Sequence, residues 1–120
     1  DALAYEEGCD QVVDRKVGLS HQAAQGGGAE CGGLDLLVNS AGLGYRGRVE
    51  GLEPEMRRAV FDTNVTGLLL TCRATLPLLR RGHAAVVVNV SSVVGRRGLP
   101  GQAAYSASKA AVCSIGEALR

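Results

Sequence analysis

The 120-residue sequence lacks the features of several protein classes. No apolar run approaches the ~20 residues of a membrane-spanning helix, and the N-terminus lacks the basic start and apolar stretch of a signal peptide. The net charge is only +1, without a block of like charge, which argues against nucleic acid and membrane as partners. Cys9, Cys31, Cys72 and Cys113 form no Cys-x-x-Cys pair, which favours free thiols over a metal or disulfide framework. We therefore expect a cytoplasmic protein without a metal site.

The composition is that of one small globular domain. Hydrophobic residues make up 46% of the chain and charged residues 21%, which excludes a disordered tail, a collagen-like repeat and a coiled coil. Lysine is scarce: Lys16 and Lys109 are the only lysines among the 13 basic residues. Arginine and lysine differ in chemistry, so either lysine could mark a position that needs an ammonium group.

Two short apolar runs, near residues 35–39 and 85–91, predict strands that are buried on both faces of a parallel sheet. A helix is predicted from Pro54 to about residue 81, with an interruption near Asn64, where β-branched residues and a glycine weaken the helix. A last helix is predicted from about Ala103 to the end. Two buried strands separated by a long helix indicate a βαβ unit of an α/β fold.

The segment Gly42–Gly47 matches the G-x-G-x-x-G pattern that holds a dinucleotide pyrophosphate, and Asp62 lies twenty residues further on. That pattern requires a helix to begin at its second glycine. Here Gly51 and Pro54 predict that the chain stays non-helical. We interpret the segment as a connecting loop.

Tyr105 and Lys109 are four residues apart in the predicted last helix and therefore share one face. An ammonium beside a phenol favours the phenolate, and a phenol tuned in this way serves as a general acid or base near neutral pH. A Tyr packed on a surface Lys stem is the alternative. Ala107, Ala111, Ser114 and Ala118 form a small-residue stripe on the opposite side, suited to close helix packing.

Other polar residues cluster around the ends of the two predicted strands. Asn39 and Gly42 follow the first strand, whereas Ser91 and Ser92 end the second. Ligands of open α/β sheets bind outside the carboxyl ends of the strands. Asn64 interrupts the helix between them, where its amide could bridge freed backbone groups or hold a water. The sequence therefore predicts a functional site at this edge.

The order of these motifs resembles that of the short-chain dehydrogenases/reductases, whose members carry Asn-Asn-Ala-Gly, a helical Asn, a Ser and Tyr-x-x-x-Lys. The corresponding residues here are Asn39-Ser40-Ala41-Gly42, Asn64, Ser92 and Tyr105-Ser-Ala-Ser-Lys109. The family's Ser lies thirteen residues before its Tyr, which selects Ser92 over Ser91. Ser40 in place of the second Asn is the departure inside the motifs.

The resemblance implies a partial Rossmann-like, doubly wound parallel sheet, with residues 1–120 forming part of one NAD(P)-binding domain. It is strong over 33–120, whereas Cys9-Asp10 is similar to a segment whose Asp contacts adenine in the family, which makes Asp10 a candidate cofactor residue. The family's N-terminal glycine-rich phosphate turn does not occur in this sequence. We therefore interpret the chain as the middle of a domain and expect no turnover by the 120 residues alone.

The resemblance also implies NAD or NADP as cofactor and the interconversion of an alcohol and a carbonyl substrate. By analogy, Tyr105 exchanges the proton and Lys109 makes Tyr105 more acidic and binds the nicotinamide ribose. Ser92 binds the substrate oxygen, and Asn64 holds a water that links Lys109 to a proton relay. The residues expected to line the cofactor cleft are Asn39, Ala41 and Gly42. The family's usual homodimer or homotetramer would pack helices 54–81 and 103–120 against their mates.

Two alternatives remain open at this point. The first is a catalytically silent fragment whose helices serve packing or partner binding, since the phosphate turn is missing. The second keeps the same residues but changes the reaction, as in the nucleotide-sugar epimerases of the same superfamily.

Overall fold

The computed structural model describes residues 32–120, so the predictions on Asp10 and on the first segment of the chain lie outside the described residues. The strands are β1 (Leu36–Asn39) and β2 (Val86–Asn89). The helices are α1 (Pro54–Phe61), α2 (Gly67–Leu79) and α3 (Ala103–Ala118). Two short 3₁₀ turns, Val49–Gly51 and Val93–Gly95, precede α1 and α3.

The two strands form a parallel pair, as the sequence predicts. Leu36 faces Val86 and Asn39 faces Asn89 in the register of the pair. Parallel strands need a crossover connection, and α1 and α2 provide it. The α/β class and the Rossmann-like arrangement are therefore confirmed, with β1 and β2 ending at the same edge of the sheet.

The predicted interruption of the long helix is a turn of π-helix, Asp62–Thr66, between α1 and α2. The wider turn leaves the helical hydrogen-bond pattern at the position of Asn64, as is common at functional sites. Pro54 occupies the first turn of α1, where its missing N–H costs nothing. The helical segment ends at Leu79, two residues before the predicted end.

The core lies between the sheet and the helices α2 and α3. Leu68 and Cys72 of α2 and Val112 of α3 are buried together. Leu37 and Val87, which point to the same side of neighbouring strands, pack against them. Helices α2 and α3 thus cover one face of the sheet. This packing holds α3, which carries Tyr105 and Lys109, against the strands.

The prediction that both strands are buried on both faces is wrong for the described residues. Alternate strand residues point to the opposite face, where Leu36, Val38, Val86 and Val88 are 41–54% exposed. The reason is that α2 and α3 pack on the same side, so that no described helix covers the other.

Candidate active site

The carboxyl edge of the sheet brings together the two loops singled out by their sequence. The ladder continues one bond past the paired residues, with the Val90 N–H donating to the Asn39 carbonyl at 2.9 Å. Segments 40–44 and 90–92 therefore leave the sheet side by side. The side chains that follow each strand are placed at one edge, as predicted.

The Lys109 side chain reaches this edge from α3. The residue is 4% exposed, and its Nζ donates to the Val90 carbonyl at 3.0 Å. A Cβ atom at Gly42 would lie 3.3 Å from the same Nζ. The ammonium thus sits between the ends of both strands. Burial lowers the pKa of Lys109, and the nearby Cys113 opposes this shift with a smaller effect.

Tyr105 lies one helical turn before Lys109, on the same face of α3. The Lys109 Nζ lies over the phenol ring, 5.9 Å from its centre, within the range of a cation–π interaction. Tyr105 is half-buried. The sequence prediction that the phenol and the ammonium share a face is therefore confirmed.

Asn64 ties the loop after β1 to α3. Its side chain is 2% exposed and occupies the π turn. Its Oδ1 accepts from the Leu43 N–H at 2.7 Å, while its Nδ2 donates to the Leu43 carbonyl and to Ser108 Oγ, both at 2.9 Å. Ser108 in turn donates to the Tyr105 carbonyl at 2.7 Å. The amide therefore bridges backbone groups, the first of the two roles considered for it.

Ser92 caps the 3₁₀ turn that precedes α3. Its Oγ accepts from the Val94 N–H at 3.4 Å. The same turn packs directly on α3, since a Cβ at Gly95 would lie 2.7 Å from the Lys109 carbonyl carbon. Ser92 therefore begins a turn that is seated on the helix of Tyr105 and Lys109.

The proposed cofactor-lining residues differ in where their side chains go. The Asn39 Nδ2 donates to Asn89 Oδ1 at 2.8 Å and approaches Cys72 Sγ at 3.5 Å, so this side chain turns toward the helix layer. Ala41 and Gly42 are exposed, and Gly42 lies beside the Lys109 ammonium. Asn39 thus fixes the strand ends, whereas Ala41 and Gly42 border the open edge.

The Gly42–Gly47 segment is a loop, as predicted. The chain forms no α-helix between Gly44 and Pro54, and only a 3₁₀ turn of three residues, Val49–Gly51, follows the glycines. The Gly47 N–H donates to the Gly101 carbonyl at 2.8 Å and is therefore used inside the protein. The pattern match is not a pyrophosphate-binding turn.

Sequence reasoning missed Ser108, and it named Ser91 at the sheet edge without foreseeing its contact with α3. Ser108 is fully buried and connects Asn64 to α3, and Ser91 binds the Lys109 carbonyl. Ser108 carried a usable signal, because it lies four residues from both Ala104 and Val112 and so shares their buried face. The contact of Ser91 with Lys109 had no such signal in the sequence, since it depends on how β2 and α3 pack.

Among residues 32–120, no helix is long and apolar enough to span a membrane.

The fold and this edge define a Rossmann-like α/β protein, and comparison with known sequences gives its family. Residues 16–120 match the family described as short chain dehydrogenase. An uncharacterized oxidoreductase of Myxococcus xanthus is 50% identical over 95 residues, covering 77% of this chain and 36% of that protein. The 3-ketodihydrosphingosine reductase of Bacteroides thetaiotaomicron is 38% identical over 109 residues, covering 90% and 40%. The chain therefore belongs to the short-chain dehydrogenase/reductase family and spans less than half the length of these relatives.

Solved structures share the fold. A short chain dehydrogenase from Escherichia coli CFT073, complexed with NADPH, is similar with a TM-score of 0.78 at 32% identity, over 86% of this chain and 43% of that one. A short chain dehydrogenase/reductase from Burkholderia phymatum, in complex with NAD, is similar with a TM-score of 0.78 at 33% identity, over 86% and 37%. Relatives of this chain thus bind either dinucleotide.

Proposed function

We propose that these residues belong to an NAD(P)-dependent oxidoreductase that interconverts an alcohol and a carbonyl compound, with Asn64, Ser92, Tyr105 and Lys109 as its catalytic site. The observation that carries the proposal is the Lys109 ammonium, which is held between the ends of both strands and over the ring of Tyr105. Relatives described as an oxidoreductase and as a reductase support the reaction class.

The edge of the sheet fits the nicotinamide end of a dinucleotide. A Cβ at Gly42 would come within 3.3 Å of Lys109 Nζ, so the glycine leaves room beside the ammonium. The ammonium has three donors, of which Val90 takes one, which leaves donors for ribose hydroxyls. In the proposal, Lys109 binds the ribose, Ala41 and Gly42 line the cleft, and Asn39 holds the strand ends beneath it. When bound, NAD(P) supplies the hydride donor or acceptor.

Tyr105 supplies the proton chemistry. During reduction its hydroxyl donates a proton to the carbonyl oxygen as negative charge develops there, and during oxidation the phenolate takes the proton of the alcohol. The Lys109 ammonium lies 5.9 Å from the centre of the Tyr105 ring, close enough to stabilise negative charge that develops during proton transfer. This pair needs no other charged group at the edge of the sheet.

Ser92 and Asn64 complete the proposed site. The bond from Val94 N–H uses only an acceptor position of the Ser92 hydroxyl, so its proton is left to donate to the substrate oxygen. The Asn64 amide donors are both used by protein groups, whereas Oδ1 accepts one bond and keeps a second acceptor position. In the proposal, a water bound there connects to Lys109.

Residues 1–120 would form part of one NAD(P)-binding domain, in a homodimer or homotetramer. The family match over residues 16–120 supports a single unit. Ala107, Ser114 and Ala118 are exposed along one side of α3, where small residues permit close helix packing. This stripe is the surface on which the proposed dimer would form.

The experiment is an assay of the complete protein that contains these residues. The protein is mixed with NADH or NADPH and a panel of ketones and aldehydes, and oxidation of the dinucleotide is followed. We expect turnover with at least one carbonyl compound and measurable dinucleotide binding by calorimetry. A folded protein that binds neither dinucleotide would contradict the proposal and favour a packing or partner-binding role.

A further inference from the structure

Ser91, which precedes the proposed catalytic Ser92, binds the main chain of Lys109. Its Oγ donates to the Lys109 carbonyl at 2.8 Å. In an α-helix that carbonyl also accepts the N–H of Cys113, four residues later. The Cys113 thiol donates back to Ser91 Oγ at 3.2 Å. Ser91 thus joins the end of β2 to one turn of α3 through a small closed ring of hydrogen bonds.

The neighbours of Ser91 hold the same lysine from other directions. Val90 accepts from the Lys109 ammonium at 3.0 Å, so consecutive residues bind the side chain and the main chain of one lysine. Gly95 packs on the same peptide group, since a Cβ there would lie 2.8 Å from the Lys109 oxygen. The Val90 carbonyl, the Ser91 hydroxyl and Gly95, all within residues 90–95, therefore fix the position of Lys109 at the edge of the sheet.

We propose that Ser91 is a positioning residue that fixes α3 against the end of β2 and so places Lys109 and Tyr105 relative to Ser92. This inference rests on the proposed function. The Ser91 hydroxyl contacts neither the Tyr105 hydroxyl nor the Lys109 ammonium. In the chain, however, Ser91 lies between Val90, whose carbonyl binds the ammonium, and Ser92. Without the Ser91 hydroxyl, the turn of α3 that carries Lys109 keeps its helical hydrogen bonds but loses the hydrogen bond that joins it to the end of β2.

The loss of the tie has two measurable consequences. Small displacements of catalytic groups slow reactions, so we expect Ser91→Ala to lower kcat about tenfold with a smaller change in the KM of the carbonyl substrate. Burial lowers the pKa of Lys109, so a loosened helix that admits water moves this pKa up toward its ordinary value of 10.5. The titratable groups that face the ammonium from the described residues are Tyr105 and Cys113. The substitution leaves the surroundings of Tyr105 unchanged, but it removes the Ser91 Oγ that accepts from the Cys113 thiol.

The experiment uses the complete protein and its NAD(P) cofactor. The Lys109 pKa is followed by NMR of the labelled lysine side chain, assigned with a Lys109→Arg variant, in wild type and in Ser91→Ala. Ser91→Thr keeps the hydroxyl and is expected to restore both kcat and the pKa. If Ser91→Ala yields too little folded protein, Ser91→Cys, which keeps a weaker donor, is expected to give a smaller change in the same direction.

Thr71→Val is the matched control. It removes a hydroxyl that donates to the Gly67 carbonyl at 2.9 Å within α2, which is the same kind of bond outside the proposed site. We expect a similar change in Tm without a change in kcat or in the Lys109 pKa. Equal effects of Ser91→Ala and Thr71→Val on kcat, or an unchanged Lys109 pKa in Ser91→Ala, would overturn the inference. An inactive wild type would refute the proposed function, while the Lys109 pKa would still decide the role of Ser91.

Discussion

Helices α2 and α3 pack on the same face of the sheet, but their polar side chains are used differently. In α2, Thr71 and Thr75 donate to carbonyls of their own helix, at 2.9 Å and 2.8 Å. In α3, Ser108 and Lys109 bind groups of other segments, and the main chain of Lys109 is bound from β2.

This difference indicates that α2 supports the structure, whereas α3 forms part of the proposed site. The buried contacts of α2 are mainly apolar, so its position depends on packing and tolerates small adjustments. The buried Ser108 and Lys109 of α3 require their partners at fixed distances, because a buried polar group that loses its partner is costly. The helix with the proposed catalytic residues is therefore coupled to both loops at the sheet edge, whereas α2 supports it from the side.

The largest effect is expected at Tyr105. Tyr105→Phe removes the proton donor and keeps the ring under the ammonium, so kcat for carbonyl reduction should fall by about 10²–10⁴-fold. Dinucleotide binding, measured by calorimetry on the complete protein, should change little, because Lys109 and Gly42 are untouched.

Tyr45→Phe is the control for this prediction. It removes the same atom from a loop tyrosine whose hydroxyl donates to the Gly51 carbonyl at 3.4 Å. Its kcat should match the wild type. Retention of activity in Tyr105→Phe would show that the proton comes from another group.

The opposite pattern is expected in α2. Leu68→Ala leaves a cavity in the core beside Cys72 and Val112, which should lower the free energy of unfolding by about 2–4 kcal/mol. The kcat of the folded fraction should stay within about twofold, since α2 holds no reacting group. Denaturant unfolding and single-turnover rates measure the two quantities, and Leu119→Ala, at an exposed position, serves as the control. If fully folded Leu68→Ala lost most of its kcat, α2 would contribute to catalysis, and the proposed difference between α2 and α3 would be wrong.

A smaller effect tests the buried charge of α3. Because burial lowers the Lys109 pKa, the unfolded chain binds more protons than the folded chain between that pKa and 10.5. Stability of the wild type therefore rises with pH across this window relative to a variant without the amine. The stability of Lys109→Met relative to the wild type should be highest at pH 7 and should fall as the pH approaches 10.5, because the wild type regains stability as the amine loses its proton.

Arg73→Met, an exposed position of α2, provides the comparison for this titration. Arginine stays charged throughout, so the stability difference of this variant should not depend on pH in the same window. Urea unfolding at several pH values measures both differences. A stability difference between Lys109→Met and the wild type that stays constant with pH would contradict the lowered pKa.

The sequence predicts the parts of the molecule that depend on local patterns. Short apolar runs predict β1 and β2, and the β-branched residues with Gly67 predict the interruption that the structure resolves as a π turn. The four-residue spacing of Tyr105 and Lys109 predicts their shared face. Each of these features is set by neighbours within a few residues.

The sequence did not predict the specific hydrogen bonds between distant segments. The Asn39–Asn89 bridge depends on the register of two strands fifty residues apart, and the tie from Ser91 to Lys109 depends on how α3 seats on β2. An apolar run also does not reveal which sheet face a helix will cover. The second face of the strands was therefore assigned incorrectly for the described residues.

The smallest expected effect compares one cysteine of each helix. Cys72 of α2 lies in the apolar core, where burial raises its pKa above the ordinary 9.0 and the Asn39 hydrogen bond offsets this only in part. Cys113 of α3 is less buried. The thiolate is the reactive form, so in variants that retain a single cysteine, Cys72 should react with a thiol reagent at pH 8 at least about tenfold more slowly than Cys113. In denaturant the two rates should converge, because the difference comes from packing. Equal rates in the native protein would mean that the Cys72 thiol is as accessible as the Cys113 thiol, and the apolar packing assigned to α2 would then be wrong.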